Sequence, residues 1–191
     1  MPPVESTMLD IGTPAPDFTL DSATGDVRSL GDCMGERGLL VAFICNHCPY
    51  VKHVFDELGR LDRDLSAAGV GMVGIMSNDV ANYPDDAPDK MALTAVENGW
   101  NFPYLHDADQ SVAKSYRAAC TPDFFLFDAR GELVYRGQLD DSRPNSGLPV
   151  DGASLREAVD VMLSGGAPLP EQRPSLGCSI KWIPGEAPDW S

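Results

Sequence analysis

Residues 38 to 65 change hydrophobic period within a few positions, and that change limits what the chain can fold into. Leu39-Leu40-Val41-Ala42-Phe43-Ile44 is a continuous apolar run opened by Gly38. Its length and lack of alternation fit a strand buried on both faces. Val51, Val54, Phe55, Leu58, Leu61 and Leu65 then recur at helical spacing, with Lys52, Glu57, Arg60, Asp62 and Arg63 on the other side. Gly69 ends this helix, and Val70 to Met76 reads as a second buried strand leading into a Ser77-Asn78-Asp79 turn.

The remaining segments extend the alternation. Residues 1 to 16 read as an irregular lead-in. Phe18 to Leu20 and Val27 to Leu30 flank a Thr24-Gly25-Asp26 turn, a hairpin signal. Helices are expected over 89–98, 111–117 and 154–163, and an extended piece over Phe102 to Leu105. Asp123 to Asp128 and Glu132 to Arg136, joined by Ala129-Arg130-Gly131, form the clearest hairpin signal in the chain. Strands that alternate with helices and close on an antiparallel pair specify an α/β fold, a central mixed sheet flanked by helices. No repeat or internal boundary divides residues 1–166, which read as one domain. The tail, 167–191, carries five prolines and is expected to pack on that domain.

Between the first strand and the long helix stands Cys45-Asn46-His47-Cys48-Pro49. The chain has five cysteines, Cys33, Cys45, Cys48, Cys120 and Cys178, in 191 residues. An odd number in a chain this long argues against a disulfide scaffold and for redox or metal chemistry. A helix start presents free N–H groups and the positive end of its dipole, which favour a thiolate. Pro49 suits the first turn, where its missing N–H has no partner to lose. Helical phase puts Cys48 on the face of Val51, Val54, Phe55 and Leu58, pointing inward. Cys45 is then expected to be the more exposed sulfur that attacks a substrate, and Cys48 the one that resolves the mixed disulfide. His47, placed near solvent, would favour the Cys45 thiolate when protonated.

These segments resemble the thioredoxin superfamily. Cys45-Asn46-His47-Cys48 is similar to the CxHC of protein disulfide isomerases. Gly12-Thr13-Pro14-Ala15-Pro16-Asp17-Phe18-Thr19-Leu20, and Phe102-Pro103-Tyr104-Leu105 with Asp107, resemble stretches of the AhpC/TSA-type peroxiredoxins and their TlpA/ResA-like relatives. Thr121-Pro122-Asp123 resembles the superfamily's cis-proline region, and Phe124 to Gly137 its closing hairpin. The likeness covers roughly residues 10 to 163. It implies a thioredoxin-like fold with an N-terminal hairpin, and a loop at Thr121 and Pro122 that faces the cysteine pair. The activity it implies is thiol–disulfide exchange through Cys45 and Cys48, supported by Asn46, His47 and Pro49, with a protein or small-molecule disulfide or dithiol as partner. In two respects the chain departs from the pattern. Thioredoxin has a buried Asp on the strand before its cysteines, where this chain is wholly apolar. Phe43 also stands only two residues before Cys45, which shortens the entry to the site.

Two other readings use the same cysteines. In an atypical peroxiredoxin, Cys48-Pro49 would match the family's TxxCP, with Cys45 in the Thr position and no Arg in Cys120-Thr121-Pro122-Asp123. In a Sco-like copper-binding protein, the two thiols would join a distant His106, although that family spaces its cysteines as CxxxC. Cys120, just before Thr121-Pro122, and Cys178, in the tail, are candidates for additional redox cysteines. Cys33, in a turn-like stretch, reads as incidental. His53 reads as a surface residue and Tyr50 as a packing or approach residue. The Asp85-Asp86 and Asp140-Asp141 pairs read as solvated loop charge. No cofactor and no resident metal are expected. A net charge of -15 opposes nucleic acid and anionic membranes. The start of the chain lacks a basic and then apolar leader, so the cytoplasm is the expected location.

Overall fold

The computed structural model describes residues 3–190. In chain order its elements are β1 (Val4–Glu5), β2 (Thr19–Ser22), β3 (Val27–Ser29), α1 (Leu30–Cys33), β4 (Gly38–Phe43), α2 (Pro49–Ala67) and β5 (Val70–Met76). A 3-10 turn (Pro84–Asp86) precedes α3 (Pro88–Glu97), β6 (Tyr104–His106), α4 (Ser111–Tyr116), β7 (Cys120–Thr121), β8 (Asp123–Asp128), β9 (Leu133–Gly137), α5 (Ala153–Leu163) and β10 (Leu176–Ser179).

Two ribbons, ordered β3-β2-β6-β5 and β4-β8-β9, lie side by side. Where they meet, Arg37 N–H donates to Gly69 O at one end of the β4/β5 seam, and Ile44 N–H to Ile75 O at the other. The two strands therefore run in the same direction. β5 and β6 are also parallel, and the other pairings are antiparallel, so the sheet is mixed. Successive residues of a strand face opposite ways, and here both faces are covered. Leu40, Ala42 and Ile44 join Val51, Val54, Leu58, Leu61 and Leu65 of α2 and Leu155 of α5. Leu39, Val41 and Phe43 join Val112 and Tyr116 of α4 and Cys33 of α1. A strand sandwiched in this way has no solvated face on which to place a polar residue, hence the unbroken apolar run.

Helix α2 follows the expected phase, with Val51, Val54, Leu58, Leu61 and Leu65 buried. Glu57, read as a solvated residue, is also buried; Arg60 and Arg156 clamp its carboxylate at 2.6 and 2.8 Å. Three further expectations are corrected. The lead-in is not wholly irregular, since β1 pairs with β10. Cys33 does not sit in a plain turn; it ends α1, a one-turn helix with a Ser29–Asp32 capping box, and is buried. Asp140 is not solvated. It accepts from Ser142 N–H and Oγ, Asp151 N–H and Gly152 N–H, and so ties the loop to the start of α5. Its neighbour Asp141 is exposed and pairs with Arg173.

The tail does not trail away. β10 lies between β1 and β7 in a second, three-stranded sheet, antiparallel to both. Beyond it, Trp182 meets Trp190 edge to face at 6.0 Å, and the Arg117 guanidinium lies over the Trp190 ring at 5.5 Å.

Candidate active site

Three segments converge where β4 ends and α2 begins. The first is Cys45 to Cys48, with Cys48 as the N-cap residue of α2 and Pro49 in its first turn. The second is the turn at Thr121-Pro122, whose peptide bond is cis. The third is the loop between β5 and α3. Cys45 Sγ lies 3.4 Å from Thr121 Oγ1, and the Cys48 thiol donates to Thr121 O at 3.3 Å. The Thr121-Pro122 turn thus faces both sulfurs.

The sequence expectation of an exposed Cys45 fails. Cys45 is 1% exposed and Cys48 fully covered. The two differ in electrostatics rather than in access. The Cys45 thiol is pushed well up, first because it donates toward the Cys48 sulfur and then by burial. The Cys48 thiol is held below its ordinary range by that same donation, reinforced by the Cys178 thiol; burial opposes this and loses. Cys48 caps the helix, so the amide and dipole effects that favour thiolates act on it before Cys45. Inward pointing of Cys48 was legible from helical phase, but the sulfurs that lower its pKa were not.

His47 keeps about a quarter of its side-chain surface and places Nδ1 2.6 Å from Asp86 Oδ2. That bond raises its pKa against the opposing effect of burial. The ring also stacks on Tyr83, with centroids 5.6 Å apart. Asp86 is fully buried, contrary to its reading as solvated loop charge. Its Oδ1 accepts from Asn46 N–H at 2.8 Å and His47 N–H at 3.2 Å. Its Oδ2 accepts from Asn78 Nδ2 at 2.8 Å besides His47. Burial alone would push this carboxyl up, but the His47 and Asn78 bonds outweigh it and hold it below its ordinary value. Asn46 is buried too, bridging Asp85 O and the Tyr104 hydroxyl. Asp86 is therefore the anchor of the whole Asn46-His47 loop. No local signal marks it, because an Asp between two prolines reads as an ordinary loop residue.

A sulfur of Cys45, a His47 nitrogen and an Asp86 oxygen lie within 4.8 Å of one another, a grouping that could hold a metal ion. A carboxylate offers about four lone-pair sites, and the four donors just named fill them. Asp86 is better described as the counter-ion of His47 than as a spare ligand. The distant His106 does not complete a copper site with the pair. It lies on β6 in register with Asp21 and Met76 and lines a surface hollow beside Asp109.

A buried carboxylate absent from β4 stands instead on its neighbour. Asp123 of β8 is paired with Phe43 and has no exposed surface. Its Oδ1 accepts from Ser6 Oγ at 2.7 Å, while Oδ2 is buried with no hydrogen bond among the described residues. Burial pushes its pKa up to about 7. Cys120 is also fully buried. It precedes Thr121 on β7 and so faces the opposite way, its sulfur 3.7 Å from Pro122 O. Cys178 is half-buried and stands opposite Thr121 in the β10/β7 register. His53 is not a bare surface residue, since its Nε2 lies 3.0 Å from Ser142 Oγ. Tyr50 lines the same small hollow as His53 and Pro122.

Residues 11–136 match the AhpC/TSA family. Over 115 residues the chain is 32% identical to a Mycobacterium tuberculosis protein named as a peroxiredoxin, covering 60% of this chain and 68% of that one. Over 128 residues it is 26% identical to the thiol-disulfide oxidoreductase ResA of Bacillus subtilis, covering 64% of each. A crystal structure of an uncharacterized conserved protein from Geobacillus kaustophilus superposes with a TM-score of 0.94 at 52% identity, over 97% of this chain and 98% of that one. The thioredoxin domain of a Bacteroides vulgatus thiol-disulfide oxidoreductase superposes at 0.59 and 19% identity, over 78% of this chain and 99% of that one, which shows the fold to be thioredoxin-like.

Proposed function

Since the chain belongs to the AhpC/TSA family of thiol-dependent redox proteins, we propose that it is a thiol–disulfide oxidoreductase working through Cys45 and Cys48. The observation that carries this reading is geometric: at the start of α2 both sulfurs face the cis Thr121-Pro122 turn, Cys45 Sγ 3.4 Å from Thr121 Oγ1 and Cys48 Sγ 3.3 Å from Thr121 O. Because the Cys48 thiol is held below its ordinary range, the order proposed is the opposite of the one expected from helical phase. Cys48 is the nucleophile. Its thiolate attacks one sulfur of a disulfide, whose other sulfur leaves as a thiolate. Cys45 then attacks the Cys48 sulfur of the mixed disulfide, its proton passing to the departing thiol, and the pair closes as a disulfide. Thr121 orients both sulfurs. His47 and Asp86 fix the intervening loop beside the two sulfurs.

The test is a redox titration in glutathione buffers, with alkylated peptides read by mass spectrometry. It is expected to show a reversible two-electron couple joining Cys45 and Cys48. Cys45→Ser should accumulate mixed disulfides on Cys48, and Cys48→Ser should not accumulate them on Cys45. Adducts confined to Cys45 would restore the other order, and absence of any couple would end the proposal.

A second reading is favoured by one observation, that Cys48 caps α2 immediately before Pro49, with its thiol held below the ordinary range. Such a sulfur could reduce a peroxide. The arginine that would orient the peroxide is not supplied by Arg117, which is turned to Trp190. Peroxide consumption that is lost in Cys48→Ser would favour this reading over disulfide exchange.

A further inference from the structure

We propose that Cys178 is a third exchange sulfur, with which Cys48 forms a disulfide as an alternative to the one with Cys45, and that low-molecular-weight thiols enter the site through it. This rests on the exchange reading above and names the substrate class for it.

Register carries the argument. β10 runs antiparallel to β7 with Cys178 directly opposite Thr121, the residue whose carbonyl and hydroxyl already contact Cys48 and Cys45. The strand pair therefore delivers a third sulfur to the same point, packed against the cluster that holds Cys45 and Cys48; burial and donation toward Cys48 push the Cys178 thiol up while lowering that of Cys48. β10 is also firmly held. On its far side β1 pairs with it, Val4 opposite Gly177. Ser6 N–H donates to Ser175 O at 3.0 Å, Ser175 Oγ to Gly137 O at 2.7 Å, and Ile180 N–H to Ala119 O at 3.0 Å. A Cβ on Gly177 would collide with Thr121 O, so the strand approaches as closely as only glycine allows. Cys178 is thus held in place and is not a stray tail cysteine.

Access distinguishes the three sulfurs. Cys45 and Cys48 are closed over, and Cys178 keeps part of its surface. Around it, the Lys181 ammonium lies 5.9 Å from the centre of the Tyr83 ring, which stacks on His47. Lys181 gives this rim one ammonium on a chain of net charge -15, which suits a small thiol bearing a carboxylate. An extended peptide, by contrast, finds the Thr121 edge already taken by β10.

The chemistry balances within the site. From a Cys45–Cys48 disulfide, the Cys178 thiol, whose own pKa is pushed up to about 12, attacks Cys48 Sγ as its proton passes toward the departing Cys45. The Cys48–Cys178 bond forms, Cys45 leaves and takes up a proton, and no net electrons move. An external thiolate then attacks Cys178 Sγ and Cys48 departs as the thiolate, the best leaving group of the three. A second external thiol reduces the adduct on Cys178 and leaves as the mixed small-molecule disulfide. Two electrons enter and three protein thiols are restored.

The experiment oxidises the full chain, maps its disulfides by mass spectrometry, and follows re-reduction by glutathione in stopped flow. Wild type should contain a Cys48–Cys178 cross-link, and its quenched intermediates a glutathione adduct on Cys178. Cys178→Ser should still close Cys45–Cys48, yet re-reduce at least about tenfold more slowly. Gly177→Ala, which keeps the thiol but displaces its strand, should show the same slowing. Absence of any Cys178 disulfide together with unchanged rates in Cys178→Ser overturns the inference and leaves the pair reading standing. A Cys48–Cys178 cross-link with no Cys45–Cys48 couple in Cys178→Ser would instead overturn the pair reading alone.

Discussion

Asp123 offers a direct check on how this site is insulated. Its carboxyl is fully buried, with one oxygen on Ser6 and the other unpartnered among the described residues, and its pKa is raised to about 7. A carboxyl raised in the folded state contributes stability that is complete below its unfolded value, near 3.8, and is lost as pH rises through the folded value. The whole window runs from about pH 4 to about pH 7. The sequence pI of about 4.3 makes its lower end impractical. Starting at about pH 5.5 leaves about 1.5 pH decades below the folded value, and each is worth about 1.4 kcal/mol. Wild type should therefore lose about 2 kcal/mol between about pH 5.5 and 8.5 from this one group. Asp123→Asn stays neutral, still accepts from Ser6, and should not lose it. Urea denaturation of both proteins in reducing buffer at the two pH values isolates the effect, because every other titrating group cancels in the difference. The variant's advantage should grow by about 2 kcal/mol from the lower pH to the higher. An advantage that is equal at both pH values would mean that Asp123 is ionised throughout, and that a polar group or water reaches Oδ2.

Three further outcomes are expected. Asp86→Asn should lower the His47 pKa toward its ordinary value, seen by NMR of the ring protons. It should also abolish the stability that the pair contributes, which is complete below about pH 6.5 and is lost as pH rises through the raised His47 value. An unmoved titration would remove Asp86 as the cause. Asp140→Ala strips a buried acceptor from four donors at the start of α5 and should cost about 1–3 kcal/mol in urea unfolding; a neutral result would show that water replaces it. Leu58→Ala hollows the fully buried face of α2 and should cost about 2–5 kcal/mol. A loss under about 1 kcal/mol would mean that the helix settles onto the sheet.

What the sequence disclosed and what it withheld divide along a physical line. Strand β4, helix α2 and strand β5 write their burial into local periodicity, and their limits are legible to within a residue or two. The same holds for the β8/β9 hairpin, whose turn residues are local. Cys48 could be placed inward because helical phase is a short-range property. Its lowered pKa could not, because that depends on how the Cys45 sulfur is turned toward it and on Cys178, which is 130 positions away in the chain. β1 and β10 are four residues or shorter, carry no period of their own, and exist through each other and through β7. Asp86 and Asp140 have the composition of solvated loops. Only the folded chain shows that backbone N–H groups converge on them, as buried amides must find acceptors.

The aromatic residues after β10 give the molecule an optical property. Of three tryptophans, Trp100 lies under α2 against Phe55, Phe102 and Tyr104, while Trp182 and Trp190 meet each other beyond the strand that carries Cys178. The intrinsic fluorescence of the unlabelled protein is thus divided between a core emitter and a pair of emitters coupled to the tail. With Trp100→Phe, the remaining emission reports the tail alone, so the chain carries its own spectroscopic gauge of whether β10 stays seated through a redox cycle.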